Sequence, residues 1–352
     1  MKFNLFNRAD YFRSLTRDIH ESQRGDRVLV ATMPIDTNEP FIADLLAALR
    51  SAASKGAHVT LIIDAITFML VSQSKVPGPL WYHQTLPDNI TEPFKTYRTV
   101  LETLEAHGVH VTITNIPRTS FSLPFAGRSH IKAGIVNNKV YLGGCNLDDH
   151  KKIDIMAATT NKVMADWLYD QLAVLALEAN NTTAFNGIDQ TFSVSAHAQL
   201  IIDAGKQNQS AILEAAYDVI ESAQESLFMT CQFSPGGQTA QRLLAAHKRG
   251  VDVQIYYSPA STHGFLAPGH ALYELREKYR LPKSFFTFKL PRRAPQLHAK
   301  ILASEKEVMF GSHNFVTQGI SLGTAEIALR VTDPELAEET RVFIRKQLEP
   351  YY

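Results

Sequence analysis

Residues 128–146 read RSHIKAGIVNNKVYLGGCN, and residues 296–314 read QLHAKILASEKEVMFGSHN. Each stretch has a histidine, a lysine two positions later, a glycine 13 positions after the histidine, and an asparagine three positions after that glycine. The chain has 13 histidines, so about one His-x-Lys is expected by chance, but not the full pattern twice at one spacing. The chain therefore contains two copies of one motif.

The repeat extends outward from this motif. Residues 18–33 align without a gap with residues 218–233, and in each copy the end of an amphipathic helix leads into an apolar strand. The next helix in each copy ends at a glycine, Gly56 or Gly250, which suits a helix C-terminus. A strand rich in β-branched and aromatic residues follows both glycines. Whole structural units are therefore duplicated, not only the motif.

The order of elements predicts the fold class. A further helix (97–106 and 270–279) and a further strand (109–114 and 285–290) precede the motif in each copy. Strands that alternate with helices indicate a mostly parallel sheet with helices on both faces. We therefore expect an α/β protein of two tandem α/β/α repeats, related by a pseudo-twofold axis and built on mostly parallel sheets.

The two repeats differ in length. The offset between the copies falls from 200 near the first strand to 168 at the histidines, so the first copy carries 32 extra residues, most of them between Ile66 and Pro93. This apolar and aromatic insert fits a lipid-facing or substrate-covering loop, and it fits a packed structural loop equally well. The polar stretch after Glu178 places the boundary between a first repeat, 1–180, and a second repeat, 181–352.

Composition limits the class of protein. The 352 residues are 45% hydrophobic and 20% charged, which indicates a globular protein. Its 35 basic residues balance 35 acidic ones, so the overall field does not favour nucleic acid as a partner. Two cysteines and no signal-peptide pattern favour a reducing compartment. We expect a cytoplasmic monomer that makes peripheral contact with membranes.

Four of the motif residues suit the binding of a phosphate group. On a strand, two residues at positions i and i+2 share a face, and a turn followed by a second strand brings the asparagine beside them. Lys132 and Lys300 are expected to neutralise phosphate oxygens, while Asn146 and Asn314 donate hydrogen bonds as negative charge develops. This set needs no metal and no cofactor.

The two histidines suit phosphodiester chemistry. If the repeats face each other, His130 and His298 flank one phosphorus atom. One imidazole attacks phosphorus and the other protonates the leaving oxygen, which gives a covalent phosphohistidine. A shared site couples the two titrations, so that one histidine acts as base and the other as acid.

At these residues the chain resembles the phospholipase D superfamily, whose signature is His-x-Lys-x4-Asp followed by Gly-Gly/Ser-x-Asn, present twice in its lipid enzymes. This chain has Asn137 and Glu305 at the two motif Asp positions, and its segment before the glycine pair is one residue shorter. The family's Asp is regarded as lying outside the phosphate-binding set, so the resemblance implies an effect on motif stability more than on chemistry. It also implies an acid that accepts a hydrogen bond from a histidine ring, for which Asp154 and Glu326 are the candidates.

The resemblance implies a function. Family habit makes His130 the nucleophile and His298 the general acid and later base, although the sequence itself allows the reverse. The expected activity is that of a metal-independent phosphodiesterase or phosphatidyl transferase acting on glycerophospholipids, like phospholipase D or cardiolipin synthase. A nuclease of the same superfamily is one alternative. A catalytically silent binding or scaffold protein is another, and it is suggested by Asn137 and Glu305.

Overall fold

A computed structural model gives the arrangement of the chain. It describes residues 1–37, 39–67, 92–115, 127–148, 151–177, 188–262 and 267–352. The strands are β1 (Asn4–Phe6), β2 (Arg27–Thr32), β3 (His58–Asp64), β4 (His110–Thr114), β5 (Ala133–Val136), β6 (Lys139–Gly143), β7 (Met156–Thr160), β8 (Gln190–Ser195), β9 (Ala198–Ala204), β10 (Ser226–Cys231), β11 (Asp252–Tyr257), β12 (Phe288–Lys289), β13 (Ile301–Ser304), β14 (Val308–Gly311) and β15 (Ala325–Val331). The α-helices are α1 (Arg8–Glu21), α2 (Pro40–Ser54), α3 (Glu92–Ala106), α4 (Lys162–Leu177), α5 (Ala211–Ser222), α6 (Gly237–Lys248), α7 (Ala267–Lys278), α8 (Thr317–Ser321) and α9 (Pro334–Leu348).

The strands form two sheets with matching internal order. One sheet runs β4-β3-β2-β5-β6-β7-β1, and the other runs β12-β11-β10-β13-β14-β15-β9-β8. Each strand of the first sheet has a counterpart at the same place in the second, and β8 extends the second sheet by one strand. The two-repeat α/β architecture expected from the sequence is therefore present.

The expectation of mostly parallel sheets was wrong. Among the described strands of each sheet, only three consecutive ones, β2-β3-β4 or β10-β11-β12, pair in parallel, and the other pairs are antiparallel. The reason is local: only Asn137 and Asn138 separate β5 from β6, and a link that short joins only antiparallel neighbours. The predicted strand over 285–290 also shrinks to β12, because Lys283–Phe286 form a 3₁₀ turn that buries Phe285.

Among the described residues, three hydrophobic clusters hold the layers together. One packs α1, α2 and α3 on the outer face of the first sheet, and a second packs α5 and α6 on the outer face of the second sheet. The third lies between the sheets and contains residues of both, together with residues of α4 and α9. Because this cluster is shared, the inner faces of the two sheets are buried against a common core, and the motifs of both repeats lie near it.

Two sequence-based expectations fall outside the described residues. The apolar insert lies almost entirely within residues 68–91, and the proposed boundary after Glu178 lies within residues 178–187. Among the described helices, none combines the length and the apolar character needed to span a bilayer.

Candidate active site

The two motifs meet where the repeats pair with each other. The histidine of each motif lies on an extended segment just before β5 or β13, and this segment pairs with the opposite repeat. The backbone N–H of His130 donates to the carbonyl of Ala325 at 2.8 Å, and that of His298 donates to the carbonyl of Ile153 at 2.8 Å. These equivalent contacts bring the imidazole centroids to 6.5 Å from each other, with the rings 75° apart.

Each histidine is held by a carboxylate from the other repeat. His130 Nδ1 lies 2.9 Å from both carboxylate oxygens of Glu326, and His298 Nδ1 lies 2.7 Å from Asp154 Oδ2. An ionised carboxylate only accepts, so Nδ1 carries the proton in each ring and Nε2 is left for chemistry. The two candidate acids therefore contact the histidines, and each serves the histidine of the opposite repeat.

The glycine and serine of the motif fit these two acids. A Cβ built on Gly144 would lie 2.2 Å from Asp154 Oδ1, so a side chain at this position would displace the shorter acid. Ser312 occupies the equivalent position in the second repeat, and its hydroxyl donates to Glu326 Oε2. The residue at the Gly/Ser position of the motif therefore suits the acid beside it: Gly144 leaves room for Asp154, and Ser312 hydrogen-bonds Glu326.

The histidines line a cavity of about 430 Å³ between the repeats. Its described lining comes from both halves of the chain. The lining residues are Met33, Pro34, Arg128, His130, Asn146, Asp148, Lys152, Gln232, Phe233, His270, His298, His313, Asn314, Val316, Leu322, Thr324 and Glu326. The lining combines apolar and aromatic side chains with the two motif histidines and both motif asparagines.

The motif lysines lie beneath the histidines. Lys132 and Lys300 are fully buried and are not among the described lining residues. Lys132 Nζ donates to the His130 carbonyl at 2.7 Å, and Lys300 Nζ donates in the same way to the His298 carbonyl. Each ammonium therefore fixes the backbone of its own histidine and places a positive charge below the cavity.

The motif asparagines lie at the cavity wall. Asn146 Oδ1 is buried and has no hydrogen-bond partner among the described residues, while its backbone carbonyl accepts from Arg8 Nη1 at 2.8 Å. Asn314 Oδ1 accepts weakly from the backbone N–H of Gln232 at 3.4 Å. Both amides thus retain hydrogen-bonding capacity toward a group in the cavity.

Burial favours the neutral form of both motif histidines. Burial lowers the pKa of His130 to about 4; Lys132 and Lys300 add to this effect and Glu326 opposes it. Burial also lowers the pKa of His298 well below its usual value, and Lys300 and Lys152 lower it further. An anion in the cavity opposes these effects, so phosphate entry favours protonation of one ring.

Burial also shifts the pKa values of the lysines and carboxylates beside the histidines. Burial lowers the pKa of Lys132 to about 7 and that of Lys300 to about 8. Burial alone would raise the pKa of Glu326, but the imidazoles of His130 and His313 outweigh it and hold that pKa at about 2. Burial raises the pKa of Asp154, against the effect of Lys300. The positive charge of the site is thus partly suppressed until an anion binds.

The residues at the motif Asp position have a structural role. Asn137 Oδ1 accepts from the backbone N–H of Arg27 at 3.1 Å, where β2 begins. Glu305 accepts from the backbone N–H of Gln224 at 3.1 Å and from that of Ser226 at 3.4 Å, where β10 begins. Both side chains tie the motif hairpin to the neighbouring strand and are absent from the described cavity lining.

Sequence reasoning did not identify the group that anchors the segment before His130. Asp64 is buried at the end of β3 and accepts from the Ser129 N–H at 2.8 Å and from Arg128 Nη1 at 3.1 Å. In the second repeat, Ser258 Oγ accepts from the Leu297 N–H at 2.6 Å. The signal in the sequence was a carboxylate or hydroxyl directly after an apolar strand in each copy.

His313 is a third buried histidine at the cavity. Its Nδ1 accepts from the Phe315 N–H at 2.9 Å, which leaves Nε2 as the protonated nitrogen of a neutral ring. It has no histidine counterpart, because the first repeat has Cys145 at this motif position. The described residues contain no group of three or more His, Cys, Asp or Glu placed to hold a metal ion.

Comparison with known proteins finds a matching family model and solved structures with a similar fold. Residues 217–347 match the family model described as cardiolipin synthase, PLD-like domain, and no curated protein sequence matches the chain. Phosphatidylserine synthase from Haemophilus influenzae Rd KW20 superposes with a TM-score of 0.71 at 12% identity, over 98% of this chain and 85% of that one. Polyphosphate kinase from Porphyromonas gingivalis superposes with a TM-score of 0.60 at 13% identity, over 99% of this chain and 50% of that one. Residues 217–347 therefore resemble a PLD-like domain in sequence, and the whole chain shares the fold of these two solved structures.

Proposed function

We propose that this chain is a metal-independent phosphodiesterase or phosphatidyl transferase that acts on glycerophospholipids through a covalent phosphohistidine. One observation carries the proposal: two histidine–carboxylate pairs, each built across the repeats, face one cavity with imidazole centroids 6.5 Å apart. A tetrahedral phosphate fits between two such rings. The match of the second repeat to a cardiolipin synthase, PLD-like domain supports the choice of a phospholipid.

In the first step, His130 Nε2 attacks phosphorus. A P–N bond forms, the bond from phosphorus to the leaving alcohol breaks, and His298 donates its Nε2 proton to the departing oxygen. Glu326 stabilises the positive charge that develops on His130, and Asp154 stabilises protonated His298 before transfer. The buried lysines offset the charge of the phosphate oxygens from below.

In the second step, His298 acts as a base. Its neutral Nε2 takes a proton from water or from a second alcohol, whose oxygen attacks phosphorus while the P–N bond breaks. Water gives hydrolysis, whereas an alcohol gives transfer. The apolar side chains Met33, Pro34, Val316 and Leu322 in the cavity lining limit the space for water and suit acyl chains near the phosphate.

One observation favours the reverse roles for the histidines. His130 faces Glu326, a carboxylate with a pKa of about 2 that stabilises the protonated ring, which suits an acid. An experiment decides between the two assignments. A phosphatidyl ester of p-nitrophenol needs little help from an acid, so the nucleophile still forms its adduct when the other histidine is replaced.

The test compares wild type, His130→Ala and His298→Ala with EDTA present. Each protein is given this ester, phosphatidylglycerol or single-stranded DNA, and intact mass and products are measured. We expect phosphatidyl products from wild type, and a phosphatidyl adduct in His298→Ala but not in His130→Ala. An adduct in His130→Ala alone reverses the roles. DNA cleavage without lipid turnover indicates the nuclease, and no turnover of any substrate indicates the silent scaffold.

A further inference from the structure

Helix α7 buries its acidic residues and exposes large apolar ones. Glu274 and Glu277 point inward and are 5% and 3% exposed, whereas Leu272 and Leu275 are 71% and 51% exposed. Tyr279, just after the helix, is 85% exposed. At 100° per residue Leu272 and Leu275 lie about 60° apart on α7, and the exposed Tyr279 directly follows the end of the helix. We call Leu272, Leu275 and Tyr279 the α7 stripe.

The equivalent helix of the first repeat has the ordinary arrangement. On α3, Tyr97, Leu101 and Leu104 are buried, while Arg98 and Glu102 face solvent. The two helices occupy matching places before the last strand of each parallel trio, so the fold itself does not require an exposed apolar stripe. The inversion on α7 is therefore a property of this sequence.

Ion pairs satisfy the buried acids of α7. Glu274 accepts from Lys289 at 2.7 Å and from Lys278 at 2.9 Å, and Glu277 accepts from Arg276 at 2.8 Å. The inward carboxylates are thus neutralised, and the helix is held in this orientation with its apolar side chains turned outward. A helix orientation that is fixed by ion pairs and exposes three large apolar side chains indicates an external partner.

The charges around the α7 stripe identify the partner. Residues 267–283 are all described, and every exposed charged side chain among them is basic: Arg276, Lys278, Arg280 and Lys283. A row of apolar side chains bordered by cations fits the interface of an anionic phospholipid bilayer. A second copy of the chain fits less well, because pairing this face with itself brings like charges together.

The same helix reaches the candidate active site. His270, on the inner side of α7, lines the cavity, and its ring stacks on Phe233 with centroids 4.3 Å apart. We propose that the α7 stripe docks on the surface of a bilayer containing anionic phospholipid and so holds the cavity next to its lipid substrate. The role given to docking rests on the proposed function, whereas docking itself is tested separately.

The test uses the full chain and two kinds of vesicle, one of phosphatidylcholine and one of an equimolar mixture with phosphatidylglycerol. Leu272→Glu combined with Tyr279→Glu removes the stripe at exposed sites. Val163→Glu is the matched control, because Val163 is 64% exposed on α4. Vesicle flotation measures docking, turnover of a short-chain phosphatidylglycerol below its micelle concentration measures chemistry, and light scattering measures oligomeric state.

We expect wild type and Val163→Glu to float with the anionic vesicles and to be released by salt. The double variant should partition onto these vesicles at least about tenfold less well, with unchanged turnover of the short-chain lipid. If it floats like wild type, or if wild type binds neither vesicle, the docking proposal is wrong. It is also wrong if the substitutions dissociate a dimer. Stripe-dependent flotation without short-chain turnover would support docking and count against the proposed function.

Discussion

Replacing Glu326 with glutamine tests the charge that faces His130. The carboxylate is buried, and both of its oxygens lie 2.9 Å from His130 Nδ1. If His130 attacks phosphorus, it gains positive charge in the transition state, and if it is the acid, it must be positively charged before it donates its proton. The Glu326 carboxylate therefore favours the reactive form of His130 in either assignment. Glutamine keeps the volume and an acceptor oxygen but removes the negative charge.

The structure sets the size of the effect. Two unit charges with centres about 4 Å apart at a partly buried site interact by about 4 kcal/mol, which is about a thousandfold in rate. Because the charge matters only when His130 is positive, the loss should fall on kcat, with KM for phosphatidylglycerol nearly unchanged. Initial rates with EDTA present, together with a thermal unfolding curve to confirm folding, measure this.

Glu305→Gln is the matched control for Glu326→Gln. Glu305 occupies the motif Asp position but binds backbone N–H groups where β10 begins. We therefore expect its kcat to stay within about twofold of wild type, because the substitution leaves the cavity intact. Retention of more than about a tenth of wild-type kcat by Glu326→Gln would refute the charge argument. An equal loss in Glu305→Gln would place the motif acid in the chemistry after all.

Three further predictions follow from the site. Tungstate keeps its charge between pH 7 and 9, and its binding should raise the suppressed pKa values of Lys132 and Lys300 toward normal. The protein should therefore take up protons on binding, and the affinity should fall by about tenfold per pH unit above each lysine's pKa in the free protein. Calorimetry in buffers of different ionisation enthalpy measures this proton uptake. Arg128→Ala should lower the free energy of unfolding by about 3 kcal/mol, because it leaves Asp64 buried without its cation. Asn137→Asp should match wild type in stability, whereas Asn137→Ala should lose about 1 kcal/mol or more, because alanine lacks the acceptor and disfavours the φ of 53°.

Each of these predictions has an outcome that contradicts it. Tungstate binding without proton uptake at pH 8 would mean that the lysines are already charged in the empty site. As a control, Arg17→Ala removes an exposed arginine paired with Asp18 and should lower the free energy of unfolding by less than about 1 kcal/mol. If Arg128→Ala lowers it by no more than Arg17→Ala, burial of the Arg128–Asp64 pair is unimportant. Equal stability of the two Asn137 variants would argue against its role at the start of β2.

The sequence by itself determined the duplication, the element order and the six motif residues. These features are local: helix and strand periodicity, a capping glycine and a fixed spacing are all set by residues near one another in the chain. The short link between the motif strands likewise predicted the hairpin that carries Asn146. The antiparallel pairing of β5 with β2 and of β7 with β1 joins segments far apart in the chain and was not predicted. The sequence also supplied Asp154 and Glu326 as acids, without showing which histidine each would hold.

The tertiary structure decided how distant residues combine. Glu326 holds His130 across 196 residues and Asp154 holds His298 across 144, because the repeats exchange backbone hydrogen bonds beside both histidines. It also decided that Asp64 anchors the segment before His130 and that α7 turns Leu272 outward. A helical pattern specifies that two faces exist, but the face that is buried depends on what packs against the helix. That choice is made only when the whole chain folds.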